Sequence, residues 1–277
     1  MAGDDGIVRI RFMNQLDKTF SKLRERGEKA FIAYVAAGDP DFERSLEVIR
    51  ALADAGADVI ELGVPFSDPL ADGIVNQMAA ARALEAGMNT GKVLELIRQF
   101  RKTHQTPVVL FTYLNPVYAY GFGAFHRDAA EAGADGILLL DLPPDEVGSG
   151  QEFSCADALY PIRLIAPTTP PKRMARLAKS ARGFIYALSR TGVTGAKAGG
   201  PSAHIAELVD SIRAHTETPI CVGFGISTPE QAATVATAAD GVVVGSALVQ
   251  EIARNPGNPA KAVKTFAEPL IAATKST

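Results

Sequence analysis

Apolar residues along this chain gather into short continuous runs, separated by longer stretches in which they recur every three or four positions. The continuous runs fall at about 30–35, 59–62, 108–111, 136–140, 162–165, 183–188, 220–223 and 241–244. Apolarity at consecutive rather than alternate positions describes strands covered on both faces, as in a parallel sheet. Between the runs lie helical stripes, such as Phe42, Leu46, Ile49 and Leu52 with Ala53, then Val93, Leu94, Ile97 and Phe100. Eight strands alternating with helices, without a composition shift that would mark a linker, predict a (β/α)8 TIM barrel spanning 1–277 as a single domain. Ahead of the first run, Met13, Leu16, Phe20 and Leu23 form an apolar stripe that needs a surface to cover. An extra N-terminal helix covering the barrel bottom meets that need. A last helix from about 259 to 274 completes the outer ring.

A short repeat punctuates the pattern. Ala55-Gly56-Ala57-Asp58 recurs as Ala132-Gly133-Ala134-Asp135, and Ala238-Ala239-Asp240 echoes it. Each copy precedes a predicted strand and marks a helix end, a turn and a strand start.

Composition narrows the classes of partner. With 47% hydrophobic residues and a net charge of -3 over 277 residues, the chain has ample core and no basic footprint for nucleic acid. No apolar stretch approaches the ~18 residues of a membrane span, and the acidic start lacks the basic region of a signal peptide. A soluble, cytoplasmic protein is expected. Cys155 and Cys221 are isolated, which indicates neither a zinc site nor a disulfide framework and fits a reducing compartment. His104, His126, His204 and His215 lack the spacing of a metal pair and read as surface residues.

The chemistry concentrates in residues 61–73, ELGVPFSDPLADG. Glu61 closes a buried strand between Ile60 and Leu62, where ionisation costs hydration and the carboxyl pKa rises toward the range useful for proton transfer. Asp72 ends a Gly/Pro-punctuated loop over the same strand exit and is expected to stay wetter and ionised. Two acids pushed apart in this way suit divided acid and electrostatic roles. Each also has a plain structural reading, Glu61 as a cap and Asp72 as a solvated turn residue.

The exits of the later strands carry glycine. The seventh run leads into Gly223-Phe224-Gly225-Ile226-Ser227, the eighth into Gly245-Ser246, and the sixth into a Gly/Thr loop from Ser189 through Gly195 to Gly200. Barrel active sites lie at these C-terminal strand ends, often with a phosphate site after strands seven and eight. Peptide N–H groups from the three loops, with a helix N-terminus after Ser246, suit a phosphate monoester.

With these segments placed, the chain resembles the tryptophan synthase alpha subunit family. The matching segments are YVAAGDPD (34–41), ELGVPFSDPLADG (61–73), TYLNPVYAYG (112–121), DLPPDE (141–146), IAPTTP (165–170), LSRTGVTG (188–195), GFGIS (223–227) and GSALV (245–249). The resemblance implies a barrel lyase that splits indole-3-glycerol phosphate into indole and glyceraldehyde 3-phosphate by a retro-aldol reaction, in the last steps of tryptophan biosynthesis. It implies that Glu61 is the catalytic acid/base and that Asp72 holds the indole N–H. It further implies phosphate contacts at Gly195, Phe224, Gly225, Gly245 and Ser246, a tyrosine beside the glutamate at Tyr186, an indole-pocket aromatic at Tyr34 and a lid residue at Thr194. Tyr34 reads equally as barrel filling. No metal or organic cofactor is implied for this chain. The implied partner is a pyridoxal-phosphate beta subunit in an alpha2beta2 heterotetramer, facing 67–70 and 115–121.

Two departures accompany the match. Ile74 and Asn76 stand where the family usually has a proline and an apolar residue after the aspartate, removing a ring that stiffens the loop, so a less firmly placed Asp72 is expected. Ala33 and Ala36 replace a common proline and threonine in the first strand. Two other readings fit the same residues: a regulatory subunit that chiefly activates its beta partner, and another phosphate-binding barrel enzyme acting on a sugar phosphate.

Overall fold

Nine strands in one parallel sheet follow the chain as β1 (Ala30–Ala36), β2 (Val59–Gly63), β3 (Val108–Thr112), β4 (Gly136–Leu139), β5 (Tyr160–Pro161), β6 (Arg163–Ile165), β7 (Ile185–Leu188), β8 (Ile220–Gly223) and β9 (Gly241–Val244). They come from a computed structural model that describes residues 14–142, 158–189, 200–223 and 225–277. The spatial order is β5-β4-β3-β2-β1-β9-β8-β7-β6, so the sheet curls into a nearly closed barrel. The fifth predicted run differs from expectation. It begins two residues earlier and is divided at Ile162, β5 pairing with β4 and β6 with β7. The division lets one stave serve both neighbours, Ile162 N–H still donating to Ile137 O at 2.8 Å.

Strand alternation sorts the side chains into two shells. Ala30, Ile32, Val59, Val109, Leu138, Ile162, Phe184, Cys221 and Val243 point into the barrel, where they form one cluster with Leu16, Phe20 and Leu23 of the helix Gln15–Arg26. That helix therefore plugs the bottom, and Met13 of its predicted stripe lies outside the described residues. Asn14 caps it through Leu16 N–H, and its amide donates to the Asp135 and Ala158 carbonyls at 2.9 and 3.0 Å. The outward set, including Phe31, Ile60, Leu62, Leu110, Ile185 and Val242, meets the ring of helices.

The repeat acquires a physical role here. Asp58, Asp135 and Asp240 each accept the N–H of a residue on the neighbouring strand, Phe31, Val108 and Ile220 respectively, at 2.8 to 2.9 Å. Each also pairs with a cation from the surrounding helices, Lys275, Arg101 and Arg213. The aspartate that ends each copy thus staples a strand start to its neighbour and to the outer ring.

His126 is a correction to the surface reading. It is fully buried on the helix Phe122–Ala132, its Nδ1 2.7 Å from the Phe122 carbonyl, and burial lowers its pKa. Its helical neighbours Phe122 and Phe125 define an inward face that the polar label of histidine conceals. Among the described residues no helix is long and apolar enough to cross a membrane.

The turn after β1 packs with no spare room. Gly38 has φ +84°, and a Cβ there would sit 1.9 Å from Met88 Cγ. Gly38→Ala is expected to lower stability by about 2 kcal/mol from left-handed strain and overlap, moving Tm down by roughly 5 °C. A thermal melt within 1 °C of the parent would contradict this, on the same scale of about 2–4 °C per kcal/mol.

Candidate active site

The C-terminal mouth of the barrel is built by the upper inward positions of the strands. On β2, Val59, Glu61 and Gly63 share the inward face, so the alternation that buries Val59 also drives the Glu61 carboxylate into the barrel. Glu61 is 1% exposed, and among the described residues neither carboxylate oxygen has a hydrogen-bond partner. Burial pushes its carboxyl up to about 8. A group of that kind carries its proton at neutral pH and is poised to give it up.

Asp72 reaches the same space from the loop beyond β2. Tyr113 Oη donates to its Oδ2 at 2.7 Å and Asn76 Nδ2 to its Oδ1 at 3.3 Å. It is wetter than Glu61, as expected, but its pKa is also raised: half-burial pushes it up, and the bonds from Tyr113 and Asn76 only partly hold it down. Tyr113 follows β3 directly and also accepts the Ala71 N–H at 3.0 Å, so one phenol holds both the aspartate and the loop before it.

Two further phenols stand around the acids. Tyr34 lies opposite Glu61 in the β1–β2 register and packs edge-on against Phe111, ring centroids 5.0 Å apart. Its pKa is raised well above the usual value by burial and then by the charges of Asp72 and Glu61. Tyr186 on β7 is raised by burial and next by Glu61. Both stay protonated. Each owes its space to a glycine: a Cβ at Gly63 would lie 2.6 Å from Tyr34 Oη, and one at Gly223 would lie 2.7 Å from Tyr186 Oη. Glycine at these strand ends thus has a second use besides turns and phosphate contacts, one that depends on a phenol from another strand.

Gly225, at φ +72°, has nothing within 4 Å of a would-be Cβ, and Gly245 lies against the Tyr34 ring. Ser246 opens the helix Ser246–Arg254 directly after Gly245. Thr194, Gly195 and Phe224 lie outside the described residues. A groove of about 970 Å³ lies elsewhere, between that helix and the helix Pro259–Lys275, and contains neither acid.

Comparison with known proteins gives the family. The family model described as tryptophan synthase alpha chain matches residues 20–275. The chain is 47% identical over 266 residues to the tryptophan synthase alpha chain of Opitutus terrae, covering 95% of this chain and 100% of that one. It is 49% identical over 249 residues to that of Desulfosudis oleivorans, covering 89% and 93%. The crystal structure of the alpha chain from Legionella pneumophila superposes with TM-score 0.85 at 39% identity, covering 95% of this chain and 97% of that one. The chain belongs to the tryptophan synthase alpha chain family.

Within that family frame the departures after Asp72 take on a structural meaning. Asn76, in place of an apolar residue, supplies a side-chain donor to Asp72, and Gln77 Nε2 donates to the Asp72 carbonyl at 2.8 Å. Asp72 thus has two contacts from the first turn of the following helix, one of them made by a residue that departs from the family pattern. Ile74 is 67% exposed and joins Leu70, Met78 and Tyr118 as the exposed large hydrophobic residues of the described chain. All four lie on the segments that leave β2 and β3, beside the mouth.

Removing the Tyr113 hydroxyl tests the hold on Asp72. Tyr113→Phe is expected to lower kcat/KM for indole release about ten- to a hundredfold, the worth of one hydrogen bond to a charged group. Steady-state kinetics with an unchanged melting curve checks it.

Proposed function

We propose that the chain cleaves indole-3-glycerol phosphate to indole and glyceraldehyde 3-phosphate, with Glu61 as the acid/base and Asp72 as the electrostatic partner. The observation that carries this reading is a buried carboxyl raised to about 8 by desolvation, beside the same two tyrosines, Tyr34 and Tyr186, as a second carboxylate that accepts bonds from Tyr113 and Asn76. Neutral Glu61 gives its proton to the indole ring carbon that bears the side chain, and the ring nitrogen takes up positive charge. Asp72 accepts the ring N–H and offsets that charge as it develops. The Glu61 carboxylate then removes the proton of the adjacent side-chain hydroxyl. As the aldehyde carbonyl forms, the carbon–carbon bond breaks, its electron pair returns to the ring, and Glu61 regains its proton.

The peptide N–H groups at Gly225, Gly245 and Ser246 anchor the phosphate at the opposite end of the substrate, together with Gly195 and Phe224. Tyr34, Phe111 and Tyr186 bound the space for the indole, and Thr194 closes over the acid. The exposed Leu70, Ile74, Met78 and Tyr118 supply an apolar surface for a beta subunit, which receives the indole in an alpha2beta2 assembly. Indole release from indole-3-glycerol phosphate, measured for the chain alone and with a beta subunit plus serine, tests the reading. Cleavage accelerated by the partner supports it. Turnover of an unrelated sugar phosphate without indole release would overturn it.

A further inference from the structure

Asp72 owes its place to the helix that follows it. Its carbonyl and carboxylate are held by Gln77 and Asn76 in the first turn of the helix Ile74–Glu85, and Gly73 gives that helix no side-chain cap. The helix in turn has little to grip the barrel with. Its buried residues are Ala79, Ala80 and Ala83, three methyl groups, and beside them Val75 is partly buried against the cluster of Tyr34, Ala36 and Val249, so few projecting side chains define a register. Ile74 and Met78 face outward.

One directional contact remains at the far end of the helix. Arg82 Nε and Nη2 donate to the two carboxylate oxygens of Asp39, each at 2.8 Å. The Asp39 side chain is 0% exposed and that of Arg82 31%. Asp39 belongs to the tight turn leaving β1, where its own N–H donates to Ala36 O and the preceding Gly38 N–H donates to Ser45 Oγ at 2.9 Å. The turn is thus tied to the strand that carries Tyr34. A planar bidentate fork fixes both distance and rotation, which a point charge or an alanine face does not.

We propose that Arg82, through its fork on Asp39, is a positioning residue for the reaction: it sets the register of the helix Ile74–Glu85 on β1 and thereby the place of Asp72 over the indole. The inference rests on the role given above to Asp72. It predicts that a loss at Arg82 is felt through Asp72.

The test is a double-mutant cycle on the full chain with Arg82→Lys, which keeps the charge and discards the fork, and Asp72→Asn. Three quantities are measured: kcat/KM for indole release, the Kd of a non-cleavable indole-3-alkyl phosphate, and Tm. Arg82→Lys alone is expected to lower kcat/KM about tenfold and weaken the analogue, while in the Asp72→Asn background it changes either by less than twofold. Equal losses in both backgrounds, or no loss in the parent, would overturn the inference while leaving the role of Asp72 intact. An inert Asp72→Asn would instead remove the role of Asp72, and the inference with it. Should Arg82→Lys not fold, Asp39→Asn combined with Arg82→Gln, which buries no unpaired charge, takes its place in the cycle with the same outcomes.

Discussion

Glu61→Gln abolishes most indole release, lowering kcat by about 10²–10⁴-fold, because the amide fills the same space but neither gives nor takes a proton. The same substitution leaves the protein more stable at alkaline pH. In the folded chain Glu61 keeps its proton up to about 8, whereas in the unfolded chain it ionises from its ordinary value of 4.5. Between those values the unfolded state binds fewer protons, so Glu61 subtracts stability as pH rises through the window. The amide has no charge to desolvate. Glu61→Gln is therefore expected to match the parent below about pH 4.5 and to exceed it above about pH 8 by something on the order of 3 to 5 kcal/mol. Denaturant melts at pH 5 and pH 8.5, beside indole release, check both halves. An active variant, or one whose stability tracks the parent across the window, would show that Glu61 is neither the proton donor nor desolvated as placed. For the parent, activity that needs the protonated acid falls as pH passes about 8.

Asp72→Asn lowers kcat by about 10²–10³-fold with a smaller change in KM, since the charge it removes matters most once the ring is protonated. The replacement preserves shape, and the Tyr113 hydroxyl still finds an acceptor oxygen, so the melting curve stays close to the parent. Single-turnover indole release separates the two parameters. A kcat within threefold of the parent would mean that the charge on the ring is offset by another group.

The two acids were legible in the sequence for different reasons. Glu61 stands out because a carboxylate between Ile60 and Leu62 in an apolar run has a burial problem that any fold must answer. Asp72 stands out only as an acid in a loop, and its value depends on contacts that local pattern does not encode. Tyr113, 41 residues away, and Asn76, noted as a departure, are what hold it. The glycines at 63 and 223 illustrate the same limit, because each is small on account of a phenol on another strand. His126 departs from the surface expectation because the inward face of its helix, and not the polarity of its side chain, decides its burial.

The order of strands and helices, the plug helix and the identity of the acids were determined by the sequence alone, because hydrophobic periodicity and the cost of burying charge act over a few residues. The division of the fifth stave, the staples made by Asp58, Asp135 and Asp240, the Tyr113 bond to Asp72 and the Arg82 fork on Asp39 were decided only by the tertiary structure. Each depends on which distant backbone or side chain the closing barrel brings within hydrogen-bond reach, a distance of about 3 Å that no local pattern specifies.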